Sequence, residues 1–249
     1  MRIHILTLFP GMFHGPLSES VIQRAVDKGL VQIGIHDIRD HTHDTHHTAD
    51  DYQYGGGPGM VIKPEPIFEA TQNALSNHSA EERLDIPVIL LSPQGRRLRQ
   101  PVAEELAQRT GIVLICGRYE GVDERIREHL ATDEISIGDY VLTGGELAAM
   151  VIVDSVVRLI PGVVGSAESV EGDSLTTGLL QHPLYTRPQM HEDLEVPPIL
   201  LSGNHKEIAL WRRQQALLRT LQRRPDLLEE ATLTREDLKF LTGHGYKRI

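Results

Sequence analysis

Four short glycine-containing loops follow apolar segments of this sequence, and their residue types are those of small-molecule binding loops. They are YGGGPGM, SPQGRR, CGRYEGVDE and IGDYVLTGGE, which span residues 54–60, 92–97, 116–124 and 137–146. Glycine tolerates positive φ angles and allows a backbone or a ligand to approach closely. Ligands of open α/β sheets bind beyond the carboxyl ends of the strands. We therefore expect three of these loops to converge on one crevice, although each loop taken alone also fits an ordinary turn after a strand.

Several familiar kinds of site lack support in these loops. None of the four matches the dinucleotide fingerprint GxGxxG or the phosphate-binding pattern GxxxxGK[ST]. The segment HTHDTHH carries His41, His43, His46 and His47, but no cysteine or carboxylate stands at zinc-ligand spacing, so we predict no metal site there. The roles of Asp139 and Glu146 stay open between solvated loop carboxylates and ligand contacts.

The elements that position these loops alternate between strand and helix. Predicted strands are MRIHILTLF, LVQIGIHDI, IPVILLS, GIVLICG and ISIGDYVLTGG; predicted helices are IFEATQNALSN, VAEELAQRT and GELAAMVIVDSVVRLI. Such an alternation is typical of an α/β fold with a mostly parallel sheet.

Composition indicates a soluble globular protein. The chain has 249 residues, of which 40% are hydrophobic and 24% are charged. Its long apolar run is interrupted by Glu146, Asp154 and Arg158, so we expect no membrane span. Cys116 is the single cysteine, which excludes an intrachain disulfide and favours a reducing cytoplasm.

The chain is predicted to have three parts: a domain over residues 1–160, a flexible linker over 161–176 and a small helical domain over 177–249. The linker sequence GVVGSAESVEGDS is small, polar and acidic, without apolar periodicity. Asn204 is placed to cap the helix that follows, with Glu207 three residues on. Charge is segregated as well, at +4 for residues 201–249 and −14 for the rest. Arg212, Arg219 and Arg223 are spaced to form a basic helix face, suited to RNA or simply solvated.

Six segments together resemble the bacterial tRNA (guanine-N1)-methyltransferases, which methylate the guanosine immediately 3′ of the anticodon. They are THDTHHTADDYQYGGGPGM, LSPQGRRL, LICGRYEGVDERI, EISIGDYVLTGGELAAMVIVDSVVRLIPGVVG, HPLYTRP and VPPILLSGNHKEIALWR. The resemblance runs from Met1 to about Leu228. It implies the SPOUT methyltransferase fold, with a deep trefoil knot in the parallel sheet domain, S-adenosylmethionine as methyl donor, and a homodimer.

The resemblance also implies which residues bind the donor. In this fold, backbone N–H and C=O groups would read the adenine edge, while Ile137 and Leu142 would face the ring; both are equally compatible with ordinary core positions. The implied donor-binding residues are Ser92, Pro93, Gly117, Tyr119, Glu120, Gly121, Ser136, Ile137, Gly138, Asp139, Tyr140, Val141, Leu142, Gly144 and Gly145.

Methylation at guanine N1 requires a base for the N1 proton and a cation for the charge that develops at O6. The resemblance assigns the base to Asp173 and the cation to Arg158. Without it, Asp173 is interpreted as a helix cap with Ser174, and Arg158 as a charge that answers the helix dipole. The implied substrate-binding residues are His46, Asp50, Tyr54, Gly59, Ser174, Arg212, Arg219 and Arg223, and a Mg²⁺ ion near Glu120 is allowed.

The sequence departs from the family pattern near the proposed base. Gly172 and Leu175 replace a usual acidic residue and Phe, Gln181 replaces a frequent carboxylate, and Thr45 replaces a frequent Lys. Two other hypotheses stay open. One is methylation of a ribose hydroxyl or another base, which would not need Asp173; the other is RNA binding without catalysis.

Overall fold

The computed structural model describes residues 1–165 and 172–247, and the chain divides into two compact units, Met1–Gly165 and Ser166–Ile249. Six residues of the predicted linker, 166–171, lie outside the described residues. Within the described residues, no helix is both long enough and apolar enough to span a bilayer.

The first unit is built on a five-stranded sheet with strand order β2-β1-β6-β5-β7, in which every neighbouring pair is parallel. Between β2 and β5, the chain also forms a separate antiparallel hairpin, β3-β4. The strands are β1 (Arg2–Thr7), β2 (Gln32–Asp37), β3 (Asp50–Tyr52), β4 (Met60–Ile62), β5 (Val88–Arg97), β6 (Gly111–Cys116) and β7 (Asp133–Ser136). The predicted parallel α/β fold is therefore confirmed.

The helices of the first unit follow the strands, as the alternation predicts. They are α1 (Ser20–Asp27), α2 (Pro64–Ala74), α3 (Ala80–Asp85), α4 (Gln100–Ala107), α5 (Glu124–His129) and α6 (Glu146–Val157), with 3₁₀ turns at Pro10–Phe13 and Ile38–His41. Several of them begin at a start signal in the sequence. For example, Ser79 and Glu82 form a capping box at α3.

Both faces of the sheet are buried. All six residues of β6 are buried, which is typical of a central parallel strand covered on both sides. Ile112 and Leu114 pack in one core cluster with α6, whereas Val113 and Ile115 pack in a second cluster that includes α2 residues. The alternation of side chains along one strand therefore supplies both cores.

Gly95 allows the end of β5 to lie against β7. The register between these strands shifts between Leu91 and Arg96. A Cβ atom at Gly95 would lie 2.4 Å from the backbone carbonyl carbon and oxygen of Glu134, so a larger residue does not fit. The Leu98 N–H then donates to the Ser136 carbonyl at 2.7 Å. This close pairing holds residues 92–94 at the carboxyl edge of the sheet.

The second unit is largely helical in its described part. It contains α7 (His205–Arg223), α8 (Leu227–Glu230) and α9 (Arg235–Gly243), together with a short hairpin of β8 (Met190–His191) and β9 (Leu194–Glu195) and a 3₁₀ turn at Pro198–Leu201. Its core consists of four buried leucines, Leu179, Leu217, Leu228 and Leu241. The Asn204 side chain accepts from the Glu207 N–H, so the predicted cap is confirmed.

We expect Gly95→Ala to destabilise the first unit, because its methyl group would overlap the Glu134 backbone. Overpacking of this kind costs about 1 to 3 kcal/mol. Gly11→Ala is the matched control, since a Cβ there meets nothing within 4 Å. Thermal unfolding followed by circular dichroism should show a lower midpoint for Gly95→Ala only. Equal midpoints for the two variants would contradict the role given to Gly95.

Candidate functional site

Three segments line a cavity of about 340 Å³ beside β5, β6 and β7, which are neighbours in the sheet. They are residues 92–94, which lie within β5 at its register shift, and the loops 117–122 and 137–145, which follow β6 and β7. The volume lies within the range of small-molecule sites, and the position is the usual ligand position of an open α/β sheet. The predicted convergence on one site is therefore observed, but SPQGRR, which was predicted to be a loop, belongs to strand β5.

Fourteen of the fifteen residues implied as donor-binding line this one cavity: Ser92, Pro93, Gly117, Tyr119, Glu120, Gly121, Ser136, Ile137, Gly138, Tyr140, Val141, Leu142, Gly144 and Gly145. Their contact with a methyl donor stays a prediction. The lining also includes residues that the sequence did not single out, notably Gln94, Arg118, Arg127 and Ala148. Arg118 could have been found from its position between two predicted residues.

Asp139 is the one implied donor-binding residue that does not line the cavity. Its side chain is 80% exposed and forms an ion pair with Arg97. Of the two roles that the sequence left open, the structure places Asp139 as a solvated loop carboxylate. The reason is local, because the β5 residue Arg97 extends beside the loop and supplies the partner charge.

Two of the glycines have a different neighbour from the one that the sequence suggests. The Gly145 N–H donates to the Gly117 carbonyl at 2.9 Å, and a Cβ at Gly145 would lie 2.7 Å from the Cys116 Cα. Gly144 forms a bridge with Arg118, whose side chain fills the space that a Cβ would occupy. The group that approaches these two glycines is therefore the protein's own chain. By contrast, Gly121 has φ of +128° and open space beside it.

Glu146, the first residue of α6, is buried with 1% exposure, which excludes the solvated role considered for it. Its Oε1 accepts from the Thr7 hydroxyl at 2.9 Å and its Oε2 accepts from Arg118 Nε at 3.0 Å. A carboxylate at a helix N-terminus is also stabilised by the helix dipole. Glu146 is thus a structural partner beneath the cavity wall, a role that short-range sequence reasoning missed because Thr7 is 139 residues away.

Cys116 lies at the end of β6, directly below the cavity. It is completely buried, and this burial, followed by the charge of Glu146, raises the pKa of its thiol. A protonated, buried thiol is a poor nucleophile. The cavity is therefore suited to holding a ligand and not to forming a thioester or thioether with the protein.

The β3-β4 hairpin brings the YGGGPGM loop beside the cavity loop 117–122. The Glu120 N–H donates to the Met60 carbonyl at 3.1 Å, and the Ile62 N–H donates to the Gly121 carbonyl at 3.1 Å. Gly59 faces Glu120 so closely that a Cβ there would lie 2.5 Å from its Cγ. Two loops with different predicted roles therefore form one continuous surface.

Tyr119 connects the cavity loop with Asp50 on the hairpin. Its φ is +59°, an uncommon conformation for a residue with a side chain. Burial raises the pKa of its hydroxyl, and a hydrogen bond to Asp50 raises it further. Tyr54 lies farther along the hairpin loop and is fully exposed. Asp50 and Gly59 are thus brought next to the cavity, while Tyr54 projects into solvent.

The histidine-rich segment is organised by Asp44. Its carboxylate accepts from the N–H groups of His46 and Thr48, both at 2.9 Å. The Thr48 N–H and hydroxyl, in that order, hold the pKa of Asp44 at about 2. His46 is exposed, and His43 pairs with Glu69 at 2.8 Å. Within the described residues, no group of three histidine, cysteine or acidic side chains is placed to hold a metal ion.

The implied catalytic residues belong to different units. Arg158 is the C-cap residue of α6 in the first unit, the position that a helix-dipole charge would occupy. Asp173 is half-buried in the second unit and precedes a turn in which the Leu175 N–H donates to the Leu179 carbonyl at 2.7 Å. Residues 174–177 form a turn and not a helix, so the helix-cap interpretation of Asp173 with Ser174 is wrong.

Gln181, one of the departures from the family pattern, anchors two implied substrate-binding residues through its backbone. Its N–H donates to the Ser174 hydroxyl at 2.9 Å, and its carbonyl accepts from Arg219 Nη1 at 3.2 Å. Because backbone groups make both contacts, the side-chain change at Gln181 does not affect them. Arg212 and Arg223 are exposed on α7.

Comparison with known proteins gives a consistent result along the chain. Residues 1–230 match the family model described as tRNA (Guanine-1)-methyltransferase TrmD. The curated tRNA (guanine-N(1)-)-methyltransferase of Dehalococcoides mccartyi strain 195 is 57% identical over 97% of this chain and 96% of its own length. The proteins of that name from Geobacillus kaustophilus and Dictyoglomus turgidum are 57% and 54% identical, also over 97% of this chain. The protein therefore belongs to the tRNA (guanine-N1)-methyltransferase family and is an enzyme.

Proposed function

We propose that the enzyme transfers a methyl group from S-adenosylmethionine to N1 of the guanosine immediately 3′ of the anticodon in tRNA. The observation that carries this proposal is the strand-end cavity, which gathers fourteen of the fifteen implied donor-binding residues from three separate segments. Family membership supports the tRNA substrate and the guanine N1 position.

The chemistry of the cavity fits S-adenosylmethionine. Ile137, Leu142 and Ala148 supply an apolar surface for a flat base, and the loops at the strand ends offer backbone donors and acceptors for its edge. Open space beside Gly121 leaves room for a bulky group. When bound, the donor supplies an electrophilic methyl group. The residues of the cavity then only have to orient it and exclude water.

Asp173 is the proposed general base. Guanine N1 carries a proton and becomes a good nucleophile only when that proton is accepted. A carboxylate within hydrogen-bond distance of N1 can accept it as the new N–C bond forms. Asp173 is half-buried and lies in a turn segment, where a side chain can be presented to a bound nucleotide.

Arg158 is the proposed electrophilic partner. Loss of the N1 proton moves negative charge towards O6 of the guanine, and a preorganised cation at O6 lowers the energy of that state. The guanidinium of Arg158 is a permanent cation at a helix end, so its charge is present before the substrate arrives.

We propose that the enzyme is a homodimer, with α6 in the interface. Most residues of this helix are apolar, and its two charged residues are Glu146, which is buried, and Asp154, which is exposed. Leu147, which is 50% exposed, and Val151, which is one turn later and 45% exposed, lie on the same outer side as Asp154. A second copy of the chain would bury this face. We also propose the trefoil knot of the family, supported by the way in which residues 144 and 145 lie against residues 117 and 118.

The second unit is the proposed tRNA-binding domain. The net positive charge of residues 201–249 and the exposed guanidinium groups of Arg212 and Arg223 support contact with RNA phosphates. Ser174 and Arg219 lie in the same unit and are held by Gln181. A Mg²⁺ ion near Glu120 and the substrate and a cytoplasmic location complete the proposal.

Asp173→Asn should bind the methyl donor normally and lose about 10² to 10⁴-fold in the rate of methyl transfer, because an amide cannot accept the N1 proton. Asp226→Asn, at a carboxylate paired with Arg224 in the same unit, is the control. Single-turnover kinetics with tRNA transcript measure the rate, and calorimetry measures donor affinity. A rate within about tenfold of the parent would remove Asp173 from the mechanism.

Arg158→Ala should lower the single-turnover rate by about 10² to 10³-fold at saturating tRNA, the effect of removing one donor from a developing oxyanion. Arg158→Lys, which keeps the charge but not the planar fork, should retain more activity than Arg158→Ala. If saturating tRNA restores the parental rate in Arg158→Ala, the residue binds substrate and does not stabilise charge at O6.

Each active site is expected to combine the cavity of one subunit with Asp173 of the other. Gly117→Trp, which fills the cavity, and Asp173→Asn should each be nearly inactive alone. After subunit exchange, random pairing should restore about a quarter of the parental activity, because each heterodimer contains one complete site. A mixture as inactive as its components would place the base and the cavity in the same subunit.

A further inference from the structure

A network beneath the cavity wall contains two side chains that do not reach the cavity. Thr7, the last residue of β1, and Glu146 are both buried, and neither lines the cavity. The Thr7 hydroxyl donates to Glu146 Oε1. The Thr7 hydroxyl oxygen also accepts from the Phe9 N–H at 2.9 Å. Glu146 Oε2 accepts from Arg118 Nε. The only charged member of this network that lines the cavity is Arg118.

The guanidinium of Arg118 joins the two walls of the cavity. Its Nη1 donates to the Thr143 carbonyl at 3.2 Å, which links the loop 117–122 to the loop 137–145. Its Nη2 contacts Met12 Sδ at 3.1 Å, and its Cζ lies 4.5 Å from the centre of the Phe9 ring. All three nitrogens therefore have partners within the protein. The group is arranged to hold the loops together.

Glu146 determines the orientation of the Arg118 guanidinium. A guanidinium is planar, so a bond from Nε to a fixed carboxylate also fixes the directions of Nη1 and Nη2. Glu146 is itself fixed at the start of α6 by Thr7. The path from Thr7 through Glu146 and Arg118 thus ends at the Thr143 carbonyl, on the wall of the cavity.

We propose that Glu146 and Arg118 are a positioning pair for the methyl donor, and that Thr7 is the third member that aligns them. The pair sets the spacing of the two cavity walls and thereby the donor affinity, without contact with the reacting atoms. The inference rests on the proposed function, since it assigns the cavity to S-adenosylmethionine.

A merely structural ion pair is the alternative. Removal of one partner of a buried pair destabilises a protein strongly, whereas replacement of both by uncharged groups is often tolerated. A structural pair would therefore affect the unfolding temperature, and donor affinity would recover whenever stability recovers. If the pair positions the donor, donor affinity will stay reduced in a variant whose unfolding temperature has recovered.

Thr7→Val is the most direct test, because it removes one hydroxyl of a residue outside the cavity and keeps the side-chain shape. We expect the Kd for S-adenosylmethionine, measured by calorimetry, to rise about three- to tenfold, as expected when one buried hydrogen bond is lost. The single-turnover rate at saturating donor should stay within about threefold of the parent, since the hydroxyl does not act on the chemical step. Thr7→Ser, which keeps the hydroxyl, should restore the Kd to within about twofold.

Thr71→Val is the matched control. Thr71 is a buried threonine of α2 in the same unit, and its hydroxyl donates to the Ile67 carbonyl within that helix. It lies outside the cavity lining, so its loss should leave the donor Kd unchanged even where the unfolding temperature falls.

Glu146→Gln should raise the donor Kd about tenfold or more, because Arg118 loses the charge that orients it. In the double variant Glu146→Gln/Arg118→Met, the unpaired cation is removed, so the unfolding temperature should recover. The donor Kd should remain raised, because nothing then links residue 118 to the Thr143 carbonyl.

Three results would overturn the inference. The first is an unchanged donor Kd in Thr7→Val and Glu146→Gln. The second is recovery of donor affinity together with stability in the double variant. The third is a fall in the rate at saturating donor with an unchanged Kd. If the parent protein does not bind S-adenosylmethionine, the proposed function itself is overturned. Donor binding by the parent protein is therefore measured first.

Discussion

The architecture of the cavity depends on one close contact between two chain segments. Residues 144 and 145 lie against the backbone of residues 116 to 118, through a hydrogen bond and a β-bridge. A side chain on Gly145 would overlap the Cys116 backbone, and one on Gly144 would overlap Arg118. Because the segments are this close, the loops that extend from them must enclose a space at the ends of the strands. The cavity follows from the contact.

This contact is stabilised from below by the apolar packing of α6. The inward residues of α6 pack in the same core cluster as Ile112 and Leu114 of β6. This packing fixes the position of the start of the helix relative to the sheet. Glu146 is then placed in a buried position at that start, where it accepts hydrogen bonds from Thr7 and Arg118. A buried carboxylate without such partners would cost several kcal/mol. Core packing and loop geometry are therefore coupled through a single residue.

Much of the first unit could be predicted from sequence because its signals are local. The apolar runs at β1, β5 and β6 and the helical periods of α2, α4 and α6 are all found where the patterns place them. The convergence of glycine loops follows from parallel strand order, since the carboxyl ends of parallel strands lie on one edge. The sequences of the four loops did not indicate which loops are adjacent in the folded chain.

What sequence reasoning missed depends on contacts between distant residues. Thr7, one of the two partners of Glu146, is 139 positions away in the sequence. The sequence near Glu146 therefore does not distinguish a buried carboxylate from a solvated one. The sequence left two roles open for Asp139, because its solvent exposure depends on the extension of β5 as far as Arg97. Residues 174–177 form a turn beside a Leu175–Leu179 backbone bond, whereas an aspartate followed by a serine also begins many helices.

The proposed chemistry explains why the donor site and the base belong to units of different character. A methyl donor must be held in one orientation, and a cavity between loops fixed to a parallel sheet provides this without further ordering. A base for guanine N1 is useful only once the nucleotide is present. Asp173 is half-buried in a turn where Leu175, with φ of +77°, is 40% exposed. A segment with so exposed an apolar side chain and a strained backbone gains contacts when a substrate covers it. In the proposed mechanism, substrate binding would supply the free energy that positions Asp173, and transfer to water would be avoided until guanine is in place.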